Sequence, residues 1–147
     1  GSDVKAAASH LKVFDKSPGN RIGEYDLDAN DSFLMMAELE NGAAGVIHAT
    51  RWATGHLNEL RLRLHGDKGA LEVVHTPEGS TLRTCEGADA DKAIWRKIEV
   101  EPVITNFQRF ANAVRKGQPD EPGFGHAAKL QFVLDHAVKT AGALTEL

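Results

Sequence analysis

Side chains able to recognise a polyhydroxylated ligand occur close together in the middle of the chain, at Arg51, Trp52, His56 and Asn58. An arginine offers a forked set of donors, an asparagine offers both a donor and an acceptor, and the face of a tryptophan suits a sugar ring. This combination predicts substrate-binding residues at one hairpin end. The structural alternative is that Arg51 pairs with a carboxylate across a sheet, Trp52 is core, and the other two serve the turn.

Metal and thiol chemistry have weaker signals. His48, His56 and His65 fall on or beside neighbouring predicted strands, but no pair of histidines has the spacing of metal ligands on one helix, so we expect no metal site. Cys85 has no basic or histidine neighbour in sequence, which favours an inert strand cysteine over a nucleophile. His126 is expected to be a solvated residue at the start of the last helix. We therefore predict no catalytic residue in this chain.

A dinucleotide-binding turn is also missing from the sequence. Such a site needs a glycine-rich turn between a strand and a helix, with the helix N-terminus behind the phosphates. The nearest candidate is Gly66-Asp67-Lys68-Gly69, but the residues that follow, Ala70 to His75, have the pattern of a strand. We interpret it as a hairpin turn and expect no cofactor-binding residues.

The residues that would position the Arg51 cluster lie in Asp31 to His75, which we interpret as a meander of four antiparallel strands. Its predicted turns are Asn41-Gly42, the region of Thr54-Gly55, and Gly66 to Gly69. Asn-Gly is a strong hairpin signal because both residues tolerate the positive φ of a tight primed turn.

The third predicted strand alternates strictly between apolar and charged residues. Leu60, Leu62 and Leu64 point to one face, and the opposite face carries Glu59, Arg61 and Arg63. We expect the leucine face to lie under helices and the charged face, which would include Glu72, to stay open. An open face serves either solvent or a second subunit, whose glutamate would meet an arginine of this chain.

The remaining elements favour an α+β fold. Strands are predicted within residues 6–14, 80–85 and 94–100, and helices over residues 105–116 and 126–144, with Gly117 ending the first helix. A sheet followed by helices favours α+β over alternating α/β. We predict a largely antiparallel open sheet with helices packed on one face.

Bulk composition excludes several classes of protein. The 147 residues are 41% hydrophobic and 26% charged, which is ordinary for a globular chain with a core. A formal net charge of −4 gives no footprint for nucleic acid, and no apolar run approaches the roughly 20 residues of a membrane span. The single cysteine fits a reducing, cytoplasmic location. Gly1-Ser2 is typical of the scar left when an expression tag is cleaved, which suggests a piece of a longer protein.

The order of these turns resembles the C-terminal domain of the Gfo/Idh/MocA oxidoreductases, the glucose-fructose oxidoreductase and inositol dehydrogenase family. The matching motifs are an Asn-Gly hairpin, a strand ending in Thr-Arg, a small-x-Gly turn and a Gly-x-Lys-Gly-Ala turn: Asn41-Gly42, Thr50-Arg51, Ala53-Thr54-Gly55 and Gly66-Asp67-Lys68-Gly69-Ala70. Residues 107–116 and 124–142 are similar to the family's last two helices. The resemblance covers the chain from about Lys12 onward.

The resemblance implies that residues 3–147 are a single substrate and oligomerisation domain of an NAD(P)-dependent oxidoreductase acting on a sugar, polyol or related substrate. The family's Rossmann domain, its Glu-Lys-Pro lysine and its Asp-x-x-x-His helix have no counterpart here. No catalytic residue is therefore carried over, the cofactor (NAD or NADP) would belong to the parent enzyme, and this piece alone would be inactive. The partner implied is a second copy, bound through the open sheet face as a homo-oligomer.

Two alternatives remain. A free-standing module for small-ligand binding or assembly would also fit the self-contained apolar content of the chain. An independent hydrolase or isomerase is less favoured, because no nucleophile and base occur in a recognisable motif.

Overall fold

The structure is a computed structural model that describes residues 2–142. These residues form two compact units: residues 2–52 together with 109–142, and residues 53–108. In chain order the elements are β1 (Val4–Lys12), β2 (Arg21–Ile22), β3 (Tyr25–Asp26), β4 (Ser32–Leu39), β5 (Ala44–Thr50), β6 (Leu60–Gly66), β7 (Gly69–Thr76), β8 (Gly79–Glu86), β9 (Arg96–Ile98), α1 (Asn106–Lys116) and α2 (Phe124–Lys139). Short 3-10 turns lie at Pro18–Asn20 and Gly87–Lys92.

The core of the first unit lies between a three-stranded antiparallel sheet and α2. The sheet has the order β1-β4-β5, and its register places Met35 opposite Ser9 and Ile47 on one face. The Ser9 hydroxyl donates to the Ala137 carbonyl of α2 at 2.6 Å, and both Met35 and Ala137 are buried. The helix therefore covers the middle of this sheet, as an α+β arrangement requires.

The second unit is a four-stranded antiparallel sheet of order β6-β7-β8-β9 with two chemically different faces. The register places one residue from each strand in a row on the apolar face: Leu62, Val73, Leu82 and Ile98. The adjacent row on the opposite face is charged: Arg63, Glu72, Arg83 and Lys97. Both sheets are antiparallel, and the α+β class is thus confirmed for the chain.

The leucine face is not covered as the sequence led us to expect. Leu60, Leu62 and Leu64 are 67%, 53% and 50% exposed, so the expectation that they lie under helices is wrong. The alternation itself is correct, because the register keeps Leu62 and Leu64 on the face opposite Arg63. A period of two identifies which residues share a face, but it carries no information about whether another layer covers that face.

The charged face satisfies its own carboxylate. Glu72 is buried rather than open: Arg63 Nε donates to Glu72 Oε2 at 2.5 Å, and Arg83 Nη1 lies 3.7 Å from Oε1. The Arg63 hydrogen bond, followed by the charges of the nearby arginines, lowers the pKa of Glu72. Glu72 is therefore engaged within its own chain, which corrects our expectation that it would lie open on the charged face.

The predicted meander over Asp31–His75 divides at its second turn. β5 pairs with β4, whereas β6 pairs with β7 in the other sheet, so the four strands do not form one sheet. The other two turns are hairpins as predicted. At Asn41-Gly42 only the glycine has a positive φ, of 85°, so this loop is not the two-residue primed turn that the dipeptide indicated.

Both predicted helices are present, and their ends follow local sequence signals. Thr105 caps α1 in a capping box: its hydroxyl accepts from the Gln108 N–H at 3.2 Å, and Gln108 Oε1 accepts from the Thr105 N–H at 2.9 Å. Gly117, with φ 63°, ends the helix as predicted. The apolar face of α1 is exposed, with Phe107 88% accessible. The last two residues predicted for α2, 143 and 144, lie outside the described residues. Neither helix in residues 2–142 has the length and apolar character needed to cross a membrane.

A pair of glycines tests the packing of the second sheet. Gly69 has φ 150°, and an added Cβ would lie 2.6 Å from the Cys85 carbonyl oxygen, whereas Gly79 has φ 146° with no atom within 4 Å. We expect Gly69→Ala to lower the free energy of unfolding by about 1–3 kcal/mol more than Gly79→Ala, because only the first adds a collision to the backbone strain. Urea titration of both variants measures this difference. Equal losses would contradict it.

The Glu72 cluster predicts a dependence of stability on pH. The pKa of Glu72 is lower in the folded chain than its unfolded value of about 4.3, so its contribution is present above pH ~4.3 and is lost as pH falls through the folded pKa. We expect Glu72→Gln to lower the urea midpoint at pH 7, and the gap from wild type to shrink below pH ~4. Glu99→Gln is the matched control, because Glu99 forms an exposed ion pair with Lys97 at 2.7 Å. A gap independent of pH would exclude this role for Glu72.

Candidate functional site

A polar corner lies at one end of the first sheet, where the end of β1, the start of β4 and the end of β5 meet. The register aligns Lys12 with Ser32 and Ser32 with Thr50, so the residues that follow or precede these strands come together. We name this group the Asp31 corner and define it by its five residues: Phe14, Lys16, Asp31, Arg51 and Trp52.

The carboxylate of Asp31 is the centre of the corner. Its side chain is only 5% exposed, and Oδ2 accepts from the Phe14 N–H at 2.9 Å and from Lys16 Nζ at 2.5 Å. The Lys16 hydrogen bond, followed by that of the Phe14 backbone, lowers the pKa of Asp31, so the group is ionised at neutral pH. An ionised carboxylate of low pKa serves as an anchor rather than as a general base.

Backbone and ring contacts hold Arg51 and Trp52 against this anchor. The Arg51 N–H donates to the Asp31 carbonyl at 2.9 Å, and the Asp31 N–H donates to the Lys12 carbonyl at 2.8 Å, which extends the pairing past the strand ends. The Trp52 ring meets Phe14 edge-on, with centroids 6.1 Å apart at 72°. Trp52 remains 56% exposed and Arg51 is also exposed, so both side chains are presented at the surface of the corner.

Arg51 is not part of an ion pair among residues 2–142. The carboxylates of that range that lie within ion-pair distance of a base are joined to other lysines, arginines or His56. The structural alternative for Arg51, a carboxylate across the sheet, is therefore not what this part of the chain shows. Its forked donors remain available for a ligand.

The four sequence-predicted site residues divide between the units. Arg51 and Trp52 come together in the first unit, whereas His56 and Asn58 belong to the loop that begins the second. The His56 N–H donates to the Ala53 carbonyl at 3.0 Å, and its Nδ1 lies 3.3 Å from Glu59 Oε2. His56 thus makes the turn contacts of the structural alternative, and Asn58 is exposed beside it.

Sequence reasoning missed Lys16, Phe14 and Asp31. Lys16 lies in a segment treated as a loop, and Asp31 was considered only as the start of the meander. No local motif joins two residues separated by 15 positions. The available signal was weaker. A carboxylate immediately before an apolar strand needs a partner, and a long loop can bring a basic residue next to it.

A second concave surface lies between the start of β1 and the first half of α2. This groove has a volume of about 500 Å³ and is mostly apolar, with His126, Asp3 and Lys129 among its lining residues. Lys129 Nζ lies 2.7 Å from Asp3 Oδ2 and is the main cause of the lowered pKa of Asp3. The acid in this groove is neutralised, so its chemistry is less distinctive than that of the Asp31 corner. His126 lies in the first turn of α2, as expected.

The turn at Gly66 to Gly69 does not have the form of a dinucleotide-binding loop. The glycine turn at Gly66 to Gly69 joins β6 to β7, and no helix N-terminus follows it to bind phosphates. The arrangement as a whole is suited to binding a ligand through donors and an aromatic surface.

The amino-acid sequence and the fold both match known oxidoreductases. Residues 1–72 match the sequence profile of the GFO/IDH/MocA C-terminal domain. Levoglucosan dehydrogenase from Pseudarthrobacter phenanthrenivorans is 23% identical over 137 residues, which cover 78% of this chain and 35% of that protein. The chain therefore spans about a third of the length of this curated relative.

Solved structures of similar fold include three sugar or related oxidoreductases. Levoglucosan dehydrogenase in complex with NADH and L-sorbose superposes with a TM-score of 0.77 at 22% identity, over 95% of this chain and 43% of that one. An oxidoreductase domain protein from Kribbella flavida has a TM-score of 0.73 at 21% identity, over 96% of this chain and 44% of that one. Aldose-aldose oxidoreductase from Caulobacter crescentus complexed with glycerol has a TM-score of 0.74 at 16% identity, over 96% of this chain and 40% of that one.

The structural likeness extends over nearly the whole chain, whereas the sequence profile covers its first half. Together they confirm the family resemblance carried by the turns from Asn41-Gly42 to Gly66 to Gly69. The first 72 residues thus resemble the GFO/IDH/MocA C-terminal domain in sequence, and the α+β fold of the chain is that of these oxidoreductases.

Proposed function

We propose that the chain is the C-terminal, substrate-side domain of an NAD(P)-dependent oxidoreductase that acts on a sugar, polyol or related substrate. The observation that carries this proposal is the Asp31 corner, in which a buried carboxylate anchors the exposed Arg51 and Trp52. The relatives named for sugar substrates support the substrate class. In this proposal the nicotinamide cofactor, the hydride-transfer chemistry and the cytoplasmic location belong to the parent enzyme, and residues 3–147 alone are inactive.

The four predicted substrate-binding residues have distinct proposed roles. Arg51 donates hydrogen bonds to hydroxyl oxygens of the substrate, and the Trp52 ring packs against the C–H face of a sugar. His56 and Asn58 remain proposed as further polar contacts from the adjoining loop. None of these residues transfers a proton or a hydride, so their effect is on binding and orientation of the substrate.

Replacement of Arg51 in the full-length enzyme tests the proposed role directly. We expect Arg51→Ala to lower kcat/KM for the sugar by about ten- to a hundredfold, since hydrogen bonds to a charged group contribute roughly 1.5–3 kcal/mol. The KM for the nicotinamide cofactor should stay unchanged. Steady-state kinetics with levoglucosan and L-sorbose as trial substrates measure both quantities.

Arg115→Ala is the matched control, because Arg115 is an exposed arginine in the last turn of α1. It should leave kcat/KM for the sugar within twofold of wild type. An equal effect of the two substitutions, or no effect of Arg51→Ala on a sugar that the enzyme does turn over, would remove Arg51 from the site. Absence of sugar turnover by the wild-type enzyme would count against the proposed substrate class itself.

A second proposed role is assembly, and the exposed apolar face of the second sheet favours it. Leu60, Leu62, Leu64 and Leu71 all lie on this face and are 40% or more exposed. A contiguous apolar surface of this kind is typical of a contact between proteins. We propose that a second copy pairs through this leucine face. The charged face is less suited to the contact, because Glu72 is already paired within its own sheet.

The oligomeric state of the chain distinguishes this role from that of a monomeric binding module. We expect Leu62→Glu to shift the mass measured by light scattering from dimer toward monomer, because it places a charge in the centre of the contact. Thr81→Glu is the control, since Thr81 is exposed on the opposite face of the same sheet. A monomeric wild-type chain, or equal effects of both variants, would refute pairing through this face.

A further inference from the structure

Asp31 contacts residues that hold Arg51 and Trp52, and it does not line the space that a ligand would occupy in the proposed function. Its Oδ2 holds the Phe14 N–H at 2.9 Å, and Phe14 in turn meets the Trp52 ring edge-on at 6.1 Å. The Asp31 carbonyl also accepts from the Arg51 N–H at 2.9 Å. One residue therefore constrains the ring of Trp52 and the backbone of Arg51 together.

We propose that Asp31 is a positioning residue for substrate binding, which fixes the indole of Trp52 and the backbone of Arg51 in the orientation that meets the sugar. This inference deepens the proposed function and rests on it. It goes beyond that function by assigning the rigidity of Arg51 and Trp52 to a buried residue that the ligand does not touch.

The contacts of the tryptophan explain why such a residue is needed. Trp52 is 56% exposed and follows directly after β5, so ladder hydrogen bonds do not fix its side chain. Its own N–H donates to the Thr50 hydroxyl at 3.2 Å, which constrains the backbone but leaves the ring free to rotate. The ring is constrained by the edge of Phe14, whose own N–H donates to Asp31 Oδ2. An aromatic surface that is already oriented loses less entropy when a sugar binds.

Lys16 has a separate role in the corner. Its Nζ lies 2.5 Å from Asp31 Oδ2 and neutralises a side chain that is almost removed from water. A lone buried carboxylate would be costly, so Lys16 permits burial of the anchor. The Nζ of this lysine donates its hydrogen bonds to the Ala29 carbonyl and to Asp31. Substitution of the lysine and of the carboxylate should therefore affect the ring differently.

The first experiment follows the indole N–H of Trp52 by NMR in the 147-residue chain. The chain has two tryptophans, and Trp95→Phe assigns their signals. We expect Asp31→Ala to shift the Trp52 signal and to raise its exchange with solvent about tenfold, and Asp31→Asn, which keeps one acceptor oxygen, to do so less. If Asp31→Ala fails to fold, Asp31→Asn alone still decides the outcome. An unchanged Trp52 signal in Asp31→Asn and in any folded Asp31→Ala would overturn the proposal.

Two controls separate positioning from a general loss of stability. Asp89→Asn removes another ion-paired carboxylate, the partner of Arg96, and should leave the Trp52 signal unchanged. Lys16→Met should lower the urea midpoint while the Trp52 signal stays close to wild type. A Lys16→Met variant that moves the Trp52 signal as far as Asp31→Asn would overturn the proposal, because the ion pair and not the carboxylate would then hold the ring.

The second experiment measures kinetics of the full-length enzyme. We expect Asp31→Asn to raise the KM for the sugar by about tenfold while kcat stays within about twofold, as expected when orientation of the ligand site is lost. If Arg51→Ala raises KM but Asp31→Asn leaves it unchanged, the positioning role is refuted while the proposed function stands. If the wild-type enzyme turns over no sugar, the proposed function fails, and the NMR result alone decides whether Asp31 holds Trp52.

Discussion

Burial of one carboxylate is the constraint that organises the end of the first sheet. An ionised side chain that is almost inaccessible to water must be compensated by charge and hydrogen bonds. Asp31 meets this requirement with Lys16 and the Phe14 N–H, both from the segment after β1, and its carbonyl binds the Arg51 N–H from the segment after β5. The compensation of a single charge thus joins chain segments that the strand ladder alone would leave separate. The proposed ligand site is a consequence of that joining.

Local signals made a good part of the fold predictable. The capping box at Thr105, the left-handed Gly117 and the glycine turns depend on residues a few positions apart, so the sequence contains all the information that sets them. The pairing of Lys16 with Asp31 depends instead on the register of three strands, which no local pattern specifies. For the same reason Arg51 and Trp52 were found as candidates by their chemistry, whereas the residue that anchors them was not.

The second sheet shows a different limit of sequence patterns. Alternation in β6 correctly separated Leu62 from Arg63, but it led to wrong expectations for the exposure of Glu72 and of the leucines. Glu72 is buried because two arginines on its own face provide its partners, and the leucines are exposed because alternation says nothing of a covering layer. Charged residues that satisfy one another leave little for a partner to bind. Exposed apolar residues, in contrast, are stabilised when a partner protein buries them.

Anchoring and ligand recognition are assigned to different side chains in the Asp31 corner. A carboxylate that both anchored Arg51 and Trp52 and contacted a sugar would have to leave its buried partners each time the ligand bound. Here Asp31 is neutralised by Lys16 and stays inside, while the cation of Arg51 and the ring of Trp52 face outward. In the proposed arrangement their orientation is established before a ligand arrives, and the free energy of the contacts is available for binding instead of for ordering the site. Such a division agrees with the proposed role of a domain that orients a substrate while groups outside this chain carry out the chemical step.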